Sequence, residues 1–398
     1  MKKLLAGAAL AALTASAGFA GGHEGPVRVG VILGFTGPIE SLTPDMAAGA
    51  ELALAEATAS GAFLGGRALE PVRADSTCVD ASAASAAAER LITADEVVAI
   101  MGADCSGVTT AVANNVAVPN GVVMVSPSAT SPALSTIEDN DLFFRTAPSD
   151  ARQGQVLAEI LGERGITEVA VTYTNNDYGQ GLADAFQAAF EANGGTVSIT
   201  AAHEDGRGDY SAEVGALAAT GSPALAVFGY VDQGGRGIIQ SALDSGAFDT
   251  FILGDGMIGD SLTDAFGGDI EGTFGTAPGA SGASFTLFDA WAKAAGIEGD
   301  GPYRGESYDA AALIVLAMQA GGEATREAVA ANLLSVANAP GVEIGPGQLD
   351  LGLAILAAGG EINYQGATGV ELIGPGEAAG AYIEYEVIDG ELQAIANR

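Results

Sequence analysis

The chain has 398 residues, 48% of them hydrophobic and 58 of them glycine, which suits a two-domain α/β protein with many tight turns. Its 50 acidic and 15 basic residues give a formal net charge of −35, a balance that repels the nucleic-acid backbone and anionic lipid headgroups alike. Nucleic acid and membrane surfaces are therefore not expected partners, and the charge itself reads as a solubility feature.

Lys2 and Lys3 precede an apolar run over 4–17, and Gly18-Phe19-Ala20 follows it, the pattern of a secretory signal peptide (residues 1–20) cut after Ala20. The run falls short of the ~20 residues of a membrane span, and no cysteine lies near the cut, so a soluble exported protein is expected. Export makes Cys78 and Cys105 candidates for a disulfide, since each follows a predicted strand and an oxidising compartment favours the bond. Closing that loop contributes about 3.5 kcal/mol in the chain-entropy model.

From residue 27 strands alternate with helices: strands at 27–33, 69–74, 97–101 and 122–125, helices at 45–59, 81–93 and after Ser106. Such alternation predicts a parallel sheet covered by helices, with ligands at the carboxyl ends of the strands. Thr36, Ser76, Ser106 and Ser128 all follow strands and are expected to converge there. The stretch 105–130 carries two hydroxyl-rich turns that suit the carboxylate of a small solute. Residues 143–148 read as a short extended crossing, after which the alternation restarts. Strands are expected at 169–174, 197–201, 225–229, 251–253 and 273–277, with helices at 151–164, 181–193, 210–219 and 235–245. Two more helices are expected at 285–295 and 307–320, before a glycine-rich end. Two similar units in succession predict two domains with a cleft between them. The glycine-rich stretches 259–282 and 341–376 read as turns, because neither GxxxxGK[ST] nor a strand–GxGxxG–helix unit is present. No cofactor and no metal are expected.

At this point several motifs share one order and spacing: Thr36-Gly37-Pro38, the Cys78/Cys105 pair, Ser126-Pro127-x-Ala129-Thr130, Phe143-Phe144-Arg145-Thr146, Tyr178-Gly179-Gln180-Gly181-Leu182 and Tyr308-Asp309-Ala310-Ala311. By these the mature chain resembles the periplasmic Leu/Ile/Val-binding proteins of ABC transporters, the type I periplasmic binding proteins. The resemblance implies two Rossmann-like α/β/α domains joined by a three-crossing hinge. They would comprise residues 27–146 with 276–380, and 147–275 with 381–398. It further implies a monomeric, non-enzymatic protein that closes on an amino acid, branched-chain or similar, and delivers it to membrane permease subunits.

Carried over residue by residue, the resemblance puts the ligand carboxylate against Ser106, Ser128, Ala129 and Thr130 in the first domain. Tyr178, Tyr230 and Asp255 face it from the second, Asp255 pairing with the ligand ammonium where the family usually has glutamate. Leu42 stands where the family usually places an aromatic wall, in a segment one residue longer. Relatives binding amides, urea or aromatic acids, or sensing rather than transporting, share the scaffold. A different reading, a secreted hydrolase, would need His203 as the base for a nucleophile such as Ser106, and the chain has no GxSxG elbow.

Overall fold

The computed structural model describes residues 25–398; the expected signal peptide, residues 1–20, lies outside them. The first run of elements is β1 (Val27–Leu33), α1 (Thr43–Ser60), β2 (Leu69–Asp75), α2 (Ala81–Thr93), β3 (Ala99–Gly102), α3 (Ser106–Val112), β4 (Met124–Ser126) and β5 (Phe143–Arg145). The second is α4 (Asp150–Glu163), β6 (Glu168–Thr174), α5 (Asp177–Ala192), β7 (Thr196–His203), α6 (Ser211–Ala218), β8 (Leu225–Phe228), α7 (Gly234–Ser245), β9 (Phe251–Leu253), α8 (Asp260–Phe266) and β10 (Phe274–Pro278). There follow α9 (Ala283–Ala294), α10 (Arg304–Gly321), α11 (Arg326–Ala337), β11 (Val342–Ile344), α12 (Leu349–Ala357) and β12 (Ile362–Tyr364). The chain ends with β13 (Leu372–Ile373), β14 (Glu377–Ala378), β15 (Tyr382–Ile388) and β16 (Glu391–Asn397).

Two seven-stranded sheets result, ordered β13-β14-β5-β4-β3-β1-β2 and β16-β15-β10-β9-β8-β6-β7. The central pairs are parallel, as βαβ connections require, while β13 and the β15–β16 hairpin add antiparallel edges. The chain passes between the sheets after β5, after β10 and between β14 and β15, which makes the three crossings of a two-domain α/β architecture. β10 carries the second sheet on to Pro278. Among the described residues no helix is long and apolar enough to cross a membrane.

The structure departs from expectation in two places. Residues 143–148 are not only a crossing: Phe143–Arg145 is a strand paired in parallel with β4, burying both phenylalanines. The glycine-rich end is not only turns: α11, α12 and the β11–β12 pair pack beside α10, and β13–β14 extend the first sheet. Helix α10 is buried along nearly its whole length, packed against α1 and α11, and over 310–318 it is accordingly apolar all round. The approach of α1 to its start needs a glycine, since a Cβ on Gly49 would sit 2.2 Å from the Arg304 carbonyl oxygen.

Burial also sets how stability varies with pH. Burial raises the Glu306 carboxyl to about 8 and the Asp309 carboxyl to about 6, and lowers the His203 imidazole to about 4. A carboxyl raised in the fold binds its proton more tightly there than in the unfolded chain, so its contribution falls as pH rises from the unfolded to the folded value. His203 has the opposite sign and acts between about 6.5 and 4. The melting temperature is therefore expected to rise as pH is lowered from 8 to 6.5, with His203 opposing the gain below that. Thermal scans by circular dichroism check this, and a midpoint that climbs from pH 6.5 to 8 contradicts it.

Candidate functional site

The carboxyl ends of both sheets meet at one small cavity. It is lined from the first sheet's side by Ile39, Leu42, Met46, Asp104, Cys105, Ser106 and Ser128. From the other side come Tyr178, Tyr230, Asp255 and Gly256, with Tyr303 from the turn before α10. Of the residues expected from sequence, Leu42, Ser106, Ser128, Tyr178, Tyr230 and Asp255 thus come together. Ala129 and Thr130 do not line it: both are fully buried one step behind, and the Ala129 N–H is taken by the Ser126 hydroxyl at 3.0 Å. Thr36 is exposed and donates to Asp75, and Ser76 donates to Asp104, so neither reaches the cavity.

The first face is built on a disulfide. Cys78 and Cys105 are bonded, Cys105 standing immediately before α3, whose first residue is Ser106. The Ser106 hydroxyl accepts the Ser131 N–H at 3.1 Å, which locks the two hydroxyl turns together. Ser128 donates its hydroxyl to the Asp104 carbonyl at 3.1 Å. Asp104, which sequence reading missed, is wholly buried and accepts from the Gly34 N–H, the Ser76 hydroxyl and the Cys105 N–H. It clamps the ends of β1, β2 and β3, and its burial holds its carboxyl above the usual range.

The second face is aromatic and acidic. Asn176 caps α5 by accepting the Gly179 N–H at 3.0 Å, which sets Tyr178 in the helix's first turn. The Tyr178 and Tyr230 rings stack with centroids 5.2 Å apart, and Asn176 also donates to the Tyr230 hydroxyl at 3.3 Å. Asp255 accepts from the Tyr178 hydroxyl at 2.8 Å and from the Tyr303 hydroxyl on its other oxygen. Burial and the nearby Asp255 charge push both phenols up, so they stay neutral donors. Asp150, at the start of α4, is fully buried, with the Thr130 hydroxyl beside its carboxylate. Burial first, and Asp255 second, raise its pKa well above normal. Burial raises the Asp255 carboxyl as well, against the Tyr303 and Tyr178 hydrogen bonds that favour its ionised form.

The facing rims touch. The Ser41 N–H donates to Asp232 at 2.8 Å, and the Asp232 N–H donates to the Pro38 carbonyl at 3.0 Å. The cavity left inside is about 20 Å³, room for about one water, so admission of any larger solute requires these rims to part. His203 is elsewhere: it closes β7, bonds the Thr172 hydroxyl at 2.9 Å and packs on Tyr210. It cannot serve Ser106 as a base, which removes the geometry that the hydrolase reading needs.

Three further lining residues escaped sequence reading. Ile39 and Met46 carried no signal beyond apolarity, and Tyr303 stood only as the residue after Gly301-Pro302.

A family profile described as periplasmic binding protein matches residues 26–350. The chain is similar to the Leu/Ile/Val-binding protein homolog 3 of Brucella melitensis, 32% identical over 280 residues, 69% of this chain and 72% of that one. It is also similar to the chemotactic signal transduction system substrate-binding protein BasB of Halobacterium salinarum, 29% identical over 391 residues, 92% of this chain and 88% of the relative. A leucine binding protein from Thermotoga maritima superposes with a TM-score of 0.76 at 24% identity, over 93% of this chain and 98% of its own.

Proposed function

The chain belongs to the type I periplasmic binding protein family, whose members bind substrates for transporters and are not enzymes, and from that premise we propose that it captures a free amino acid with an apolar side chain for an ABC importer. The observation that carries this is the charge layout of the cavity. The Ser106 hydroxyl and the Ser128 turn stand opposite the Asp255 carboxylate and its tyrosines, and no Lys or Arg is among the lining residues. A zwitterion satisfies both faces. An aromatic acid brings a negative charge with no cation to meet it, so the layout favours an ammonium-bearing ligand. Ile39, Leu42 and Met46 supply the apolar wall for its side chain.

In this reading the lobes are those expected, residues 27–146 with 276–380 and 147–275 with 381–398, with the 275/276 boundary moved to 278/279 because β10 runs to Pro278 in the second sheet, and they rotate about the three crossings to close on the ligand. Residues 1–20 direct the chain to the periplasm, and it works there as a monomer that docks on permease subunits. The site roles follow the cavity: Ser106 and Ser128 hold the carboxylate, Asp255 holds the ammonium, and Tyr178 and Tyr230 cover the ligand. Ala129 and Thr130 shape the turn behind Ser128.

Micromolar affinity needs about −8 kcal/mol, within reach of a few charge-assisted hydrogen bonds and apolar contact. Titration calorimetry of residues 21–398 against leucine, isoleucine, valine, acidic and basic amino acids and 4-hydroxybenzoate tests the proposal. Saturable heat with the apolar amino acids is expected; binding of 4-hydroxybenzoate alone overturns it. The name of the Halobacterium relative supports a second reading, in which the loaded protein signals to a receptor. Loss of labelled amino-acid uptake on deletion of the gene favours transport, and loss of taxis alone favours sensing.

A further inference from the structure

Tyr303 borders two cavities. Its hydroxyl ends on Asp255 in the cleft, and the same residue also lines a separate groove of about 400 Å³ at the second crossing. That volume is in the range of small-molecule sites. The groove is walled by Phe285, Ile383, Tyr385 and Ile395, and it runs along the 278–282 crossing and the β15–β16 hairpin.

Two of its three charged side chains are acidic, Asp300 and Glu306. Glu306, in the first turn of α10, lines the groove at 4% exposure, its carboxyl meeting its own backbone N–H and no ion-pair partner among the described residues. Asp300 adds a second carboxylate. The one cation on the wall, Arg304, is committed elsewhere: its guanidinium donates to the Gly299 carbonyl and to Asp289 at 2.7 Å, and it lies over the Phe288 ring. A nearly buried carboxyl facing apolar walls without a counter-charge is a poor structural element and a good receptor for a cation.

We propose that this groove is a second binding site, for a small organic cation with an apolar body, and that Tyr303 couples its occupancy to Asp255 in the amino-acid cleft. The ammonium would meet Glu306 and Asp300, and the body would lie on Phe285, Ile383 and Ile395. An occupant there touches the crossing that must bend on closure, and it presses on the tyrosine that orients Asp255. The site itself stands without the amino-acid reading; the coupling rests on it.

Benzylammonium is a suitable probe, titrated by calorimetry into the wild-type protein, Glu306→Gln and Ala394→Trp, which fills the groove from the exposed hairpin. One saturable site is expected in the wild type, weakened at least tenfold in both variants. The ionisable groups around Glu306 are Asp300 and Tyr303 before the helix, Arg304 and Asp309 on it, and Tyr385 from β15; the lining residues of β16 add none. Burial keeps Glu306 protonated near neutrality, so cation binding is expected to release about one proton, read as a dependence of heat on buffer ionisation. That release should vanish in Glu306→Gln. For the coupling, saturating benzylammonium should change the leucine Kd severalfold in the wild type and not in Tyr303→Phe. No saturable binding, binding that survives Glu306→Gln unchanged, or binding abolished by Asp255→Asn overturns the site. An unchanged leucine Kd overturns the coupling. Benzylammonium binding in a protein that fails to bind leucine would overturn the cleft reading and leave the groove standing.

Discussion

Asp255→Asn is expected to weaken leucine binding by about 30-fold or more, because a buried ammonium that loses its counter-charge costs roughly 2–5 kcal/mol. The change is isosteric, so the cavity walls stay in place. Asparagine has one acceptor oxygen where two phenol hydroxyls, those of Tyr178 and Tyr303, now donate. One of them loses its partner, at a cost of about 1 kcal/mol. Against this, asparagine carries no charge, so the cost of holding a carboxylate in this fully buried place is removed. The melting temperature of the ligand-free protein should therefore stay near the wild-type value or rise while affinity collapses. Calorimetry and thermal melts on the same samples separate the two effects. Affinity within threefold of wild type would remove Asp255 from the ammonium role.

The second large effect is expected from Cys78→Ala combined with Cys105→Ala. The bond joins positions 27 residues apart, and its loss should cost about 3.5 kcal/mol through the greater freedom of the unfolded chain. Alanine leaves no unpaired polar atom in this buried place, so the cost is that of the crosslink and a small void. Function should fall with stability, because Cys105 sits directly before Ser106 on the cavity wall. Urea unfolding of the double variant, with and without reductant on the wild type, reads the stability part. A reduced wild type that unfolds at the same urea midpoint as the oxidised protein would contradict the prediction.

These two outcomes bear on different layers of the molecule. Asp255 acts between the halves of the cleft, whereas the disulfide acts within one half, tying the loop after β2 to the start of α3. A variant that loses binding without losing stability speaks for the cleft chemistry. One that loses both speaks for the scaffold beneath it.

Much of the architecture is written in local pattern. The β1, β2 and β6 segments, helices α2 and α4 and the acidic turn at Asp255 all stand close to their expected positions, because apolar alternation, caps such as Asp80 and turn residues act over a few residues. The C-terminal third was harder to read. Helix α11 carries a Thr325 cap and apolar residues at helical spacing, but its alanines give little contrast between faces. The three-residue strands β5, β11 and β12 are too short to show a period.

By itself the sequence determined the alternating α/β plan and the Cys78–Cys105 pairing, which leave traces within their own segments, and its resemblance to a known family pointed to six of the residues that line the cleft. Tertiary structure alone decided that Asp104 clamps three strand ends, that Tyr303 shares Asp255 with Tyr178, and that Asp150 is buried within reach of the Asp255 charge. It also decided that Ala129 and Thr130 stand behind the cavity. Those facts depend on the approach of segments far apart in the chain, and long-range electrostatics and burial have no signature in local pattern. Glu306 shows the difference most directly. In sequence it is one more acid on a very acidic chain, and only the closing of α10 against the crossings turns it into a nearly buried carboxyl without a counter-charge.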